Sequence, residues 1–324
     1  MMLCIAPSPA IDRTARVDRF VDGAVLRPRE LVVLPGGKAI TAARVARSLG
    51  AIVATTGFAG GHAGRWIVDA LAAEGLNPRF VETAAEARTT YVLLDGRGHS
   101  YLLYEPAVPV TVAESNQLDE LLRSELLPAA DFVILAGSFP AGSPADAPAA
   151  LVRLLYDAGR ACLVDTSGPA LLAVAAAKPA AIKISLEEAV AVGLATAADP
   201  GAARAATERL VELGAGLAVV TDGPRGALAF DGTDHWQVSV PAVTGASPVG
   251  SGDAFSAGLA VGLADGRSVA DALATGAAAG TANARSLGGG RFEPGAFEAV
   301  LSEVRVEQIR RGRAGPTSRP QGHV

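Results

Sequence analysis

The chain has 324 residues, of which 50% are hydrophobic and 19% are charged, and its formal net charge at pH 7 is -5. This length and hydrophobic content suffice for one large α/β domain with a sizeable core and room for a small appendage. The mild acidity provides no basic field for nucleic acid, so we expect no nucleic-acid partner.

Short apolar runs that end at turn residues alternate with longer helical stretches. The alternation predicts a mostly parallel sheet with helices on both faces, that is, a three-layer α/β sandwich, because such runs are typical of strands buried on both sides. The predicted strands are 3–6, 52–57, 132–136, 161–164, 181–184 and 217–221. The predicted helices include 64–74, 118–126, 149–158, 187–192 and 202–213. Ligands of such sheets bind at the carboxyl ends of the strands.

Three segments depart from this alternation. Residues 14–33 alternate without a helical period, and residues 88–110 predict a hairpin around Asp95-Gly96. We expect the two to pair into a small sheet outside the main domain, spanning about 12–34 and 88–110; two static edge hairpins are the alternative. Residues 305–324 contain too few apolar side chains to offset the entropy of ordering, which predicts a disordered basic tail after a domain at 1–304.

The extreme N-terminus has no basic start and no long apolar run, so we expect neither a signal peptide nor a membrane anchor. The two cysteines, Cys4 and Cys162, lie in apolar strand-like runs. Buried reduced thiols are typical of cytosolic proteins, so we expect a cytoplasmic location.

A first glycine turn, Pro35-Gly36-Gly37-Lys38, opens a predicted helix that stops at Gly50. The helix dipole disfavours a cation at the helix start. Lys38 is easier to understand if it shares an anionic ligand with the free amides of the first turn. The alternative is a solvated lysine at a loop tip.

A second glycine turn, Gly250-Ser251-Gly252-Asp253, opens a helix of small residues. The free amides of the first turn can hold an anion, and Asp253 is placed to take a proton from a hydroxyl while those amides hold a transferring phosphoryl group. Taken alone, a tight turn with Asp253 as helix N-cap explains the motif equally well. Neither glycine turn has the G-x-x-x-x-G-K-[ST] sequence of P-loop enzymes.

The two glycine turns, in this order and at this separation, resemble the ribokinase-like (pfkB) carbohydrate kinases, and the resemblance covers about 3–294. Ser8-Pro9-Ala10-Ile11-Asp12 resembles the N-P-A-I-D opening of the branch that includes 1-phosphofructokinase, tagatose-6-phosphate kinase and the minor 6-phosphofructokinase. Gly137-Ser138-Phe139-Pro140-Ala141-Gly142 resembles the G-S-L-P-P-G of that branch, and Asp165-Thr166-Ser167-Gly168 is shared unchanged.

The resemblance implies an ATP- and Mg²⁺-dependent kinase whose small sheet is a lid over the sugar and often a dimer contact. Asp253 would be the base, and the amides around Gly250, Ser251 and Gly252 would hold the moving phosphoryl group. The implied substrate-binding residues are Asp12, Gly36, Gly37, Lys38, Thr41, Arg88 and Ser138. Lys38 and Arg88 would bind a phosphate already on the sugar, which a neutral sugar does not need. A turn cap at Asp12 and a surface position for Arg88 are the alternatives.

On the nucleotide side, the resemblance implies Lys183, Ser185, Thr221, Gly223, Gly226 and Asn283, with Glu188 holding Mg²⁺ through water. Helix packing is the alternative for Asn283. Three positions depart from the family: Thr41 replaces the asparagine of G-G-K-G-x-N, Ile184-Ser185 replaces Pro-Asn, and Thr90 ends a lid motif that is usually R-T-N.

The leading hypothesis is ATP-dependent phosphorylation of a ketohexose phosphate, with fructose 1-phosphate converted to fructose 1,6-bisphosphate. Tagatose 6-phosphate and fructose 6-phosphate stay open as acceptors, because each presents one phosphate and one free primary hydroxyl. A non-catalytic sugar-phosphate sensor is the alternative of another class. We expect only small-molecule partners, apart from a second copy of the chain bound through the lid.

Overall fold

The secondary structure alternates strands and helices along most of the chain. The computed structural model describes residues 1–97, 99–196, 201–243, 247, 249–293 and 295–309. The strands are β1 (Met2–Ala6), β2 (Ala10–Val17), β3 (Glu30–Gly36), β4 (Val53–Phe58), β5 (Pro78–Val81), β6 (Arg88–Asp95), β7 (Ser100–Tyr104), β8 (Phe132–Ala136), β9 (Ala161–Asp165), β10 (Ala181–Ser185), β11 (Ala218–Thr221), β12 (Ala227–Phe230), β13 (His235–Ser239) and β14 (Arg305–Ile309).

The helices follow the strands that they cover. They are α1 (Lys38–Ser48), α2 (Gly61–Ala73), α3 (Val112–Leu121), α4 (Leu127–Ala129), α5 (Ala147–Asp157), α6 (Leu171–Ala176), α7 (Leu186–Ala191), α8 (Ala202–Leu213), α9 (Ser251–Ala264), α10 (Val269–Ala284) and α11 (Ala296–Glu303). A π-helical turn (Leu122–Leu126) joins α3 to α4, and a 3₁₀ turn (Gly223–Arg225) follows β11. None of the described helices is long and apolar enough to cross a membrane.

Ten strands form the main sheet, in the order β14-β13-β12-β11-β10-β9-β8-β1-β4-β5. The seven strands from β11 to β5 are parallel, and β12, β13 and β14 add in antiparallel fashion at one edge. Every residue of the central strands β1 and β8 is buried. Their continuous apolar runs are those of strands covered on both faces.

Two hydrophobic cores lie on opposite faces of this sheet. One contains Ile40 of α1, Phe255 of α9 and Leu273 of α10, and the other contains Leu155 of α5 and Leu210 of α8. Both cysteines are free and buried, and burial raises the pKa of each thiol. The predicted three-layer sandwich with a mostly parallel sheet is confirmed.

A separate four-stranded sheet has the order β3-β2-β6-β7. The predicted hairpin is its β6–β7 pair, and the Asp95 carboxylate accepts the N–H groups of Arg97 (2.8 Å) and His99 (2.9 Å) to close the turn. The strand register places Asp12 of β2 opposite Thr90 of β6, and Thr90 opposite Tyr104 of β7. These three side chains therefore share one face of the small sheet.

The predicted end of the domain at residue 304 is wrong. Residues Arg305–Ile309 form β14, which pairs with β13 so that Val306 lies opposite Val238. Most of β14 is exposed, so its sequence carries little apolar signal, and backbone pairing at the sheet edge orders it. The rest of the predicted tail, 310–324, lies outside the described residues.

Candidate active site

The second glycine turn lies at the start of α9, beside the carboxyl ends of the parallel strands. Gly250 is the N-cap of α9 with a φ of 80°, in the left-handed region that favours glycine. Because the first amides of a helix have no acceptor within it, those of α9 are available to an anion. Asp253 lies in this first helical turn. We call residues 249–253 the α9 turn; Gly245, Ala246 and Pro248, which precede it, lie outside the described residues.

A network of ions surrounds Asp165, the last residue of β9. Lys38 Nζ donates to Asp165 Oδ1 at 2.7 Å, and Lys183 Nζ donates to Asp165 Oδ2 at 2.7 Å. Ser256 of α9 also donates its hydroxyl to Asp165 Oδ2, at 2.8 Å. Asp165 is fully buried. Burial alone would raise the pKa of Asp165, but the two ammonium groups lower it well below its usual range.

Lys38, the first residue of α1, pairs with two carboxylates of this network. Besides Asp165, its ammonium group donates to Glu188 Oε1 at 2.8 Å. Burial opposes the charged form of Lys38, yet the carboxylates of Asp165, Asp253 and Glu188 together raise its pKa. The sugar-phosphate contact predicted for Lys38 stays a prediction; in the structure its ammonium group faces the carboxylates of Asp165 and Glu188.

Asp253 is half-buried, and its pKa is raised to about 6. Burial is the main cause, and the negative charge of Asp165 adds to it, whereas Lys38 and Lys183 act in the opposite direction. A carboxylate with a pKa near neutrality is suited to take a proton from an alcohol, because general-base catalysis is most efficient when the pKa lies near the working pH.

Asp12 of β2 lies at the end of the small sheet that adjoins the first glycine turn. We call this end the base of the small sheet. Its carboxylate accepts the N–H of Gly37 at 3.3 Å and the hydroxyl of Thr90. A Cβ added at Gly36 would lie 1.9 Å from the Asp12 Cγ, so no other residue fits there without moving this carboxylate. Burial raises the pKa of Asp12, although the hydrogen bonds from Thr90 and Gly37 counteract it. The backbone of the first glycine turn is therefore in direct contact with the Asp12 carboxylate.

Arg88, at the start of β6, bridges the small sheet and the main domain. Its guanidinium donates to the Ser138 hydroxyl (3.1 Å), the Ser8 carbonyl (3.2 Å) and the Glu105 carbonyl (3.3 Å). It has no carboxylate within hydrogen-bonding distance among the described residues, and burial lowers its pKa. Arg88 Nε and Ser8 Oγ are buried without a hydrogen-bond partner. The charges of Asp12 and Glu105 oppose the effect of burial on the pKa of Arg88. The unpaired Nε and hydroxyl groups suit an anionic ligand.

Two predicted site residues, Thr41 and Asn283, are buried beneath the α9 turn. Thr41 is 2% exposed, and its side chain lies beneath Gly250 and Gly289. Asn283 is fully buried; its amide donates to the Val249 carbonyl (3.0 Å) and accepts the Gly290 N–H (2.7 Å). Both side chains therefore support the α9 turn from below. The sugar contact predicted for Thr41 and the adenine contact predicted for Asn283 stay predictions, and helix packing is the alternative for Asn283.

Ser185 and Glu188 form a capping box at the start of α7. The Ser185 hydroxyl accepts the Glu188 N–H (3.1 Å), and Glu188 Oε2 accepts the Ser185 N–H (2.9 Å). The S-x-x-E spacing is a sequence signal for this structure that our sequence analysis did not use. Since Glu188 also pairs with Lys38, the capping box fixes one end of the ion network.

The remaining residues predicted for the nucleotide follow β11. The Thr221 hydroxyl donates to the Ile184 carbonyl at 3.3 Å, and Gly223 begins the exposed 3₁₀ turn. At Gly226 a Cβ would lie 1.9 Å from the Val238 carbonyl oxygen, so packing against β13 already requires this glycine. The ammonium group of Lys183 lies next to the α9 turn, since a Cβ added at Gly252 would be 2.9 Å from its Nζ.

Sequence reasoning missed three residues of this region. Asp165 stood in a shared motif without an assigned role, and Ser256 lies one helical turn after Gly252. Tyr104 shares the face of the small sheet that carries Asp12 and Thr90, and its pKa is raised by burial and then by the charges of Asp12 and Asp253. No sequence signal singled out Tyr104, because residues 101–104 are all aromatic or apolar.

The side chains of this site favour a metal ion bound mainly by water and substrate over one enclosed by protein ligands. Among the described residues, no group of three or more His, Cys, Asp or Glu side chains is arranged to hold a metal ion. Mg²⁺ usually keeps several waters and binds through one or two carboxylates together with substrate phosphates. Glu188, whose side chain is 22% exposed, is the carboxylate of this network that fits such binding through water, whereas both oxygens of the buried Asp165 already accept hydrogen bonds from lysine and serine side chains.

The chain is similar to a known protein family and to several solved structures. The pfkB family carbohydrate kinase model matches residues 3–294. Phosphofructokinase-2 from Escherichia coli, solved with substrates and products, is 27% identical with a TM-score of 0.84, covering 94% of this chain and 98% of that one. The same enzyme in its tetrameric inhibited form is 27% identical with a TM-score of 0.83, covering 93% and 98%.

A Thermotoga maritima protein described as a possible 1-phosphofructokinase has the same fold, with a TM-score of 0.87 at 22% identity over 96% of this chain and 100% of that one. The family match covers nearly the whole described chain, including both glycine turns and the Asp165 network. The chain therefore belongs to the pfkB family of carbohydrate kinases, and it is a sugar kinase with the ribokinase-like fold.

Proposed function

We propose that this kinase transfers the terminal phosphoryl group of ATP to the free primary hydroxyl of a ketohexose phosphate, with fructose 1-phosphate as the leading acceptor. The observation that carries the proposal is the α9 turn, where Asp253 with a pKa of about 6 lies beside the free amides of a helix N-terminus. A proton acceptor and an anion-binding turn are the two parts that phosphoryl transfer to an alcohol requires.

In this mechanism Asp253 removes the proton from the acceptor hydroxyl as the oxygen attacks phosphorus. The α9 amides stabilise the charge on the phosphoryl oxygens, and the ammonium groups of Lys38 and Lys183 add positive charge on the same side. Asp165 holds both lysines in place through its two carboxylate oxygens. Lys38 thus serves the transferring group instead of the phosphate of the sugar.

We assign the acceptor phosphate to Arg88, with Ser138 and the unpaired Ser8 hydroxyl beside it. Asp12 and the Gly37 amide, at the base of the small sheet, would hold sugar hydroxyls between Arg88 and Asp253. A phosphorylated sugar satisfies the charge of Arg88, whereas a neutral sugar leaves it unpaired. Tagatose 6-phosphate and fructose 6-phosphate fit the same scheme.

The nucleotide would lie against Lys183 and the turn at 221–226. Mg²⁺, held by Glu188 through water and by the phosphates of ATP, would neutralise charge on the transferring group. The small sheet would act as a lid over the sugar, because Asp12 and Arg88 both belong to it.

The same sheet offers a surface for a second copy of the chain. The outer strand β7 is exposed along its whole length, including Tyr101, Leu102, Leu103 and Tyr104. An apolar strand with an open edge is a template for pairing with another chain. We propose that two copies associate through β7 and the exposed face of the small sheet.

The decisive experiment is an ADP-release assay across fructose 1-phosphate, tagatose 6-phosphate, fructose 6-phosphate, free fructose and ribose. We expect kcat/KM for a ketohexose phosphate to exceed that for the neutral sugars by orders of magnitude. A clear preference for an unphosphorylated sugar would overturn the acceptor assignment. Sugar-phosphate binding without any ADP release would favour the sensor, against which the raised pKa of Asp253 argues.

A further inference from the structure

The guanidinium group of Arg44 on α1 connects three segments that are remote in sequence. Its Nε and Nη2 donate to the Glu74 carboxylate at 2.7 and 3.2 Å, Nη2 also donates to the Pro35 carbonyl at 2.9 Å, and Nη1 donates to the Gly289 carbonyl at 2.8 Å. The side chain is 11% exposed. Only a planar fork of several donors can satisfy three acceptors in this arrangement.

The Pro35 carbonyl belongs to the base of the small sheet. Pro35 lies in β3 opposite Ile11 of β2, and the next residue, Gly36, touches the Asp12 carboxylate. Arg44 therefore holds the strand end that precedes the first glycine turn. A displacement of this strand end would move Asp12, and with it the acceptor side of the site.

The Gly289 carbonyl belongs to the loop that supports the α9 turn. A Cβ added at Gly250 would lie 2.9 Å from the Gly289 Cα, so the two backbones are in close contact. The next residue, Gly290, donates its N–H to Asn283, which in turn donates to the Val249 carbonyl at 3.0 Å. Arg44 is thus linked to the α9 turn by one direct packing contact and one chain of hydrogen bonds.

We propose that Arg44 is a positioning residue that fixes the distance between the base of the small sheet and the α9 turn. It touches neither substrate, but it holds the element that carries Asp12 and the element that supports Asp253. This inference rests on the proposed phosphoryl transfer, in which the sugar hydroxyl and the phosphoryl group must meet in line between those two elements. A misplacement of about 1 Å in such a geometry costs on the order of 10²-fold in rate.

The test compares Arg44→Lys with Arg47→Lys, a matched control on the exposed face of the same helix. A lysine keeps the charge beside Glu74 but cannot also reach both carbonyls. We expect kcat at saturating ATP and acceptor to fall about ten- to a hundredfold in Arg44→Lys, with the melting temperature little changed. Arg47→Lys should match the wild type in both measurements.

Hydrogen exchange gives a readout that does not depend on turnover. In Arg44→Lys, amides at 249–253 and 288–290 should exchange faster than in the wild type, while the central strands β1 and β8 keep their protection. Glu74→Gln, which leaves both carbonyl contacts of Arg44 in place, should retain most of the kcat.

Three results would overturn the proposal: an unchanged kcat in Arg44→Lys, a uniform rise in exchange across the chain, or a loss in Glu74→Gln as large as that in Arg44→Lys. The second and third would make Arg44 a stabilising ion-pair partner only. If the wild type phosphorylates no ketohexose phosphate, the proposed function fails, whereas the local exchange pattern still reports whether Arg44 holds the α9 turn.

Discussion

At the scale of single residues, Asp253 combines an unusual pKa with a place in the first turn of α9. We expect Asp253→Asn to lower kcat by about 10²–10⁴-fold, because general-base catalysis typically contributes that much. The wild-type kcat/KM should rise with pH through about 6, since Asp253 must lose its proton to act as a base. Pre-steady-state and steady-state ADP release from pH 5 upward check both statements, with ATP binding measured separately. A variant that keeps most of the kcat would show that Asp253 is not the base.

The same pKa makes a prediction about stability. The folded protein holds the Asp253 proton up to about pH 6, whereas the unfolded chain releases it near the ordinary value of 3.8. The unfolded state therefore gains relative stability as the pH rises through this window, and the wild type loses on the order of 1 kcal/mol or more of its free energy of unfolding. Asp253→Asn should avoid that loss and be the more stable protein at pH 8. Denaturant unfolding at pH 4 and pH 8 tests this: an advantage that does not grow with pH contradicts it.

Arg88 and Lys38 should affect different kinetic constants. Arg88→Ala should raise the KM for the ketohexose phosphate about tenfold to over a hundredfold, because charge-assisted hydrogen bonds contribute roughly 1.5–3 kcal/mol each. Lys38→Ala should mainly lower kcat, because its ammonium group lies among the carboxylates beside Asp253. Initial-rate kinetics with each substrate varied in turn separate the two effects, and Arg65→Ala, an exposed site on α2, is the control. Equal effects of Arg88→Ala on both substrates would place Arg88 elsewhere.

At the scale of elements, close packing of α9 against α10 fixes the position of α9, and with it the position of Asp253. A Cβ added at Gly258 would lie 2.5 Å from the Thr275 carbonyl oxygen and 2.9 Å from the Gly276 Cα. Gly258→Ala should therefore destabilise the fold by about 1–3 kcal/mol, the usual cost of overpacking. Thermal unfolding measures the loss, and Ala264→Ser, at the exposed end of the same helix, should be neutral. An unchanged melting temperature would mean that the two helices separate without cost.

The elements also show what the sequence alone could predict. The buried parallel strands and the β6–β7 hairpin were predictable, because continuous apolar runs and an Asp-Gly turn are local signals. The partners of Lys38 were not, since Asp165 and Glu188 lie 127 and 150 residues further along the chain. For Asn283 and Thr41, the family motif gave a position but not the direction in which the side chain points, so their burial beneath the α9 turn was not predictable. The edge strand β14, with only Val306 and Ile309 as apolar residues, carried too weak a signal.

At the scale of the whole molecule, the ion network and the Arg44 contacts connect the elements that carry the two sides of the proposed reaction. Asp165 draws Lys38 of α1 and Lys183 of β10 together, while Arg44 joins α1 to the small sheet and to the loop beneath α9. The acceptor and donor sides therefore meet at α1. The first glycine turn, at the start of α1, therefore lies between the two sides of the site, in addition to its proposed role in binding.

Association of two copies through the small sheet can be tested at its outer strand. Leu103 of β7 is 65% exposed, and its side chain lies on the face opposite to that of Asp12, Thr90 and Tyr104. Leu103→Lys should therefore weaken association without entering the site, because a lysine on an edge strand disfavours pairing with another chain. Sedimentation velocity should show a dimer for the wild type that dissociates at higher concentration in the variant, and Ile52→Lys, an exposed apolar site away from this sheet, should leave the dimer intact. A wild type that stays monomeric at every concentration, or a dimer insensitive to Leu103→Lys, would rule out this surface as the interface.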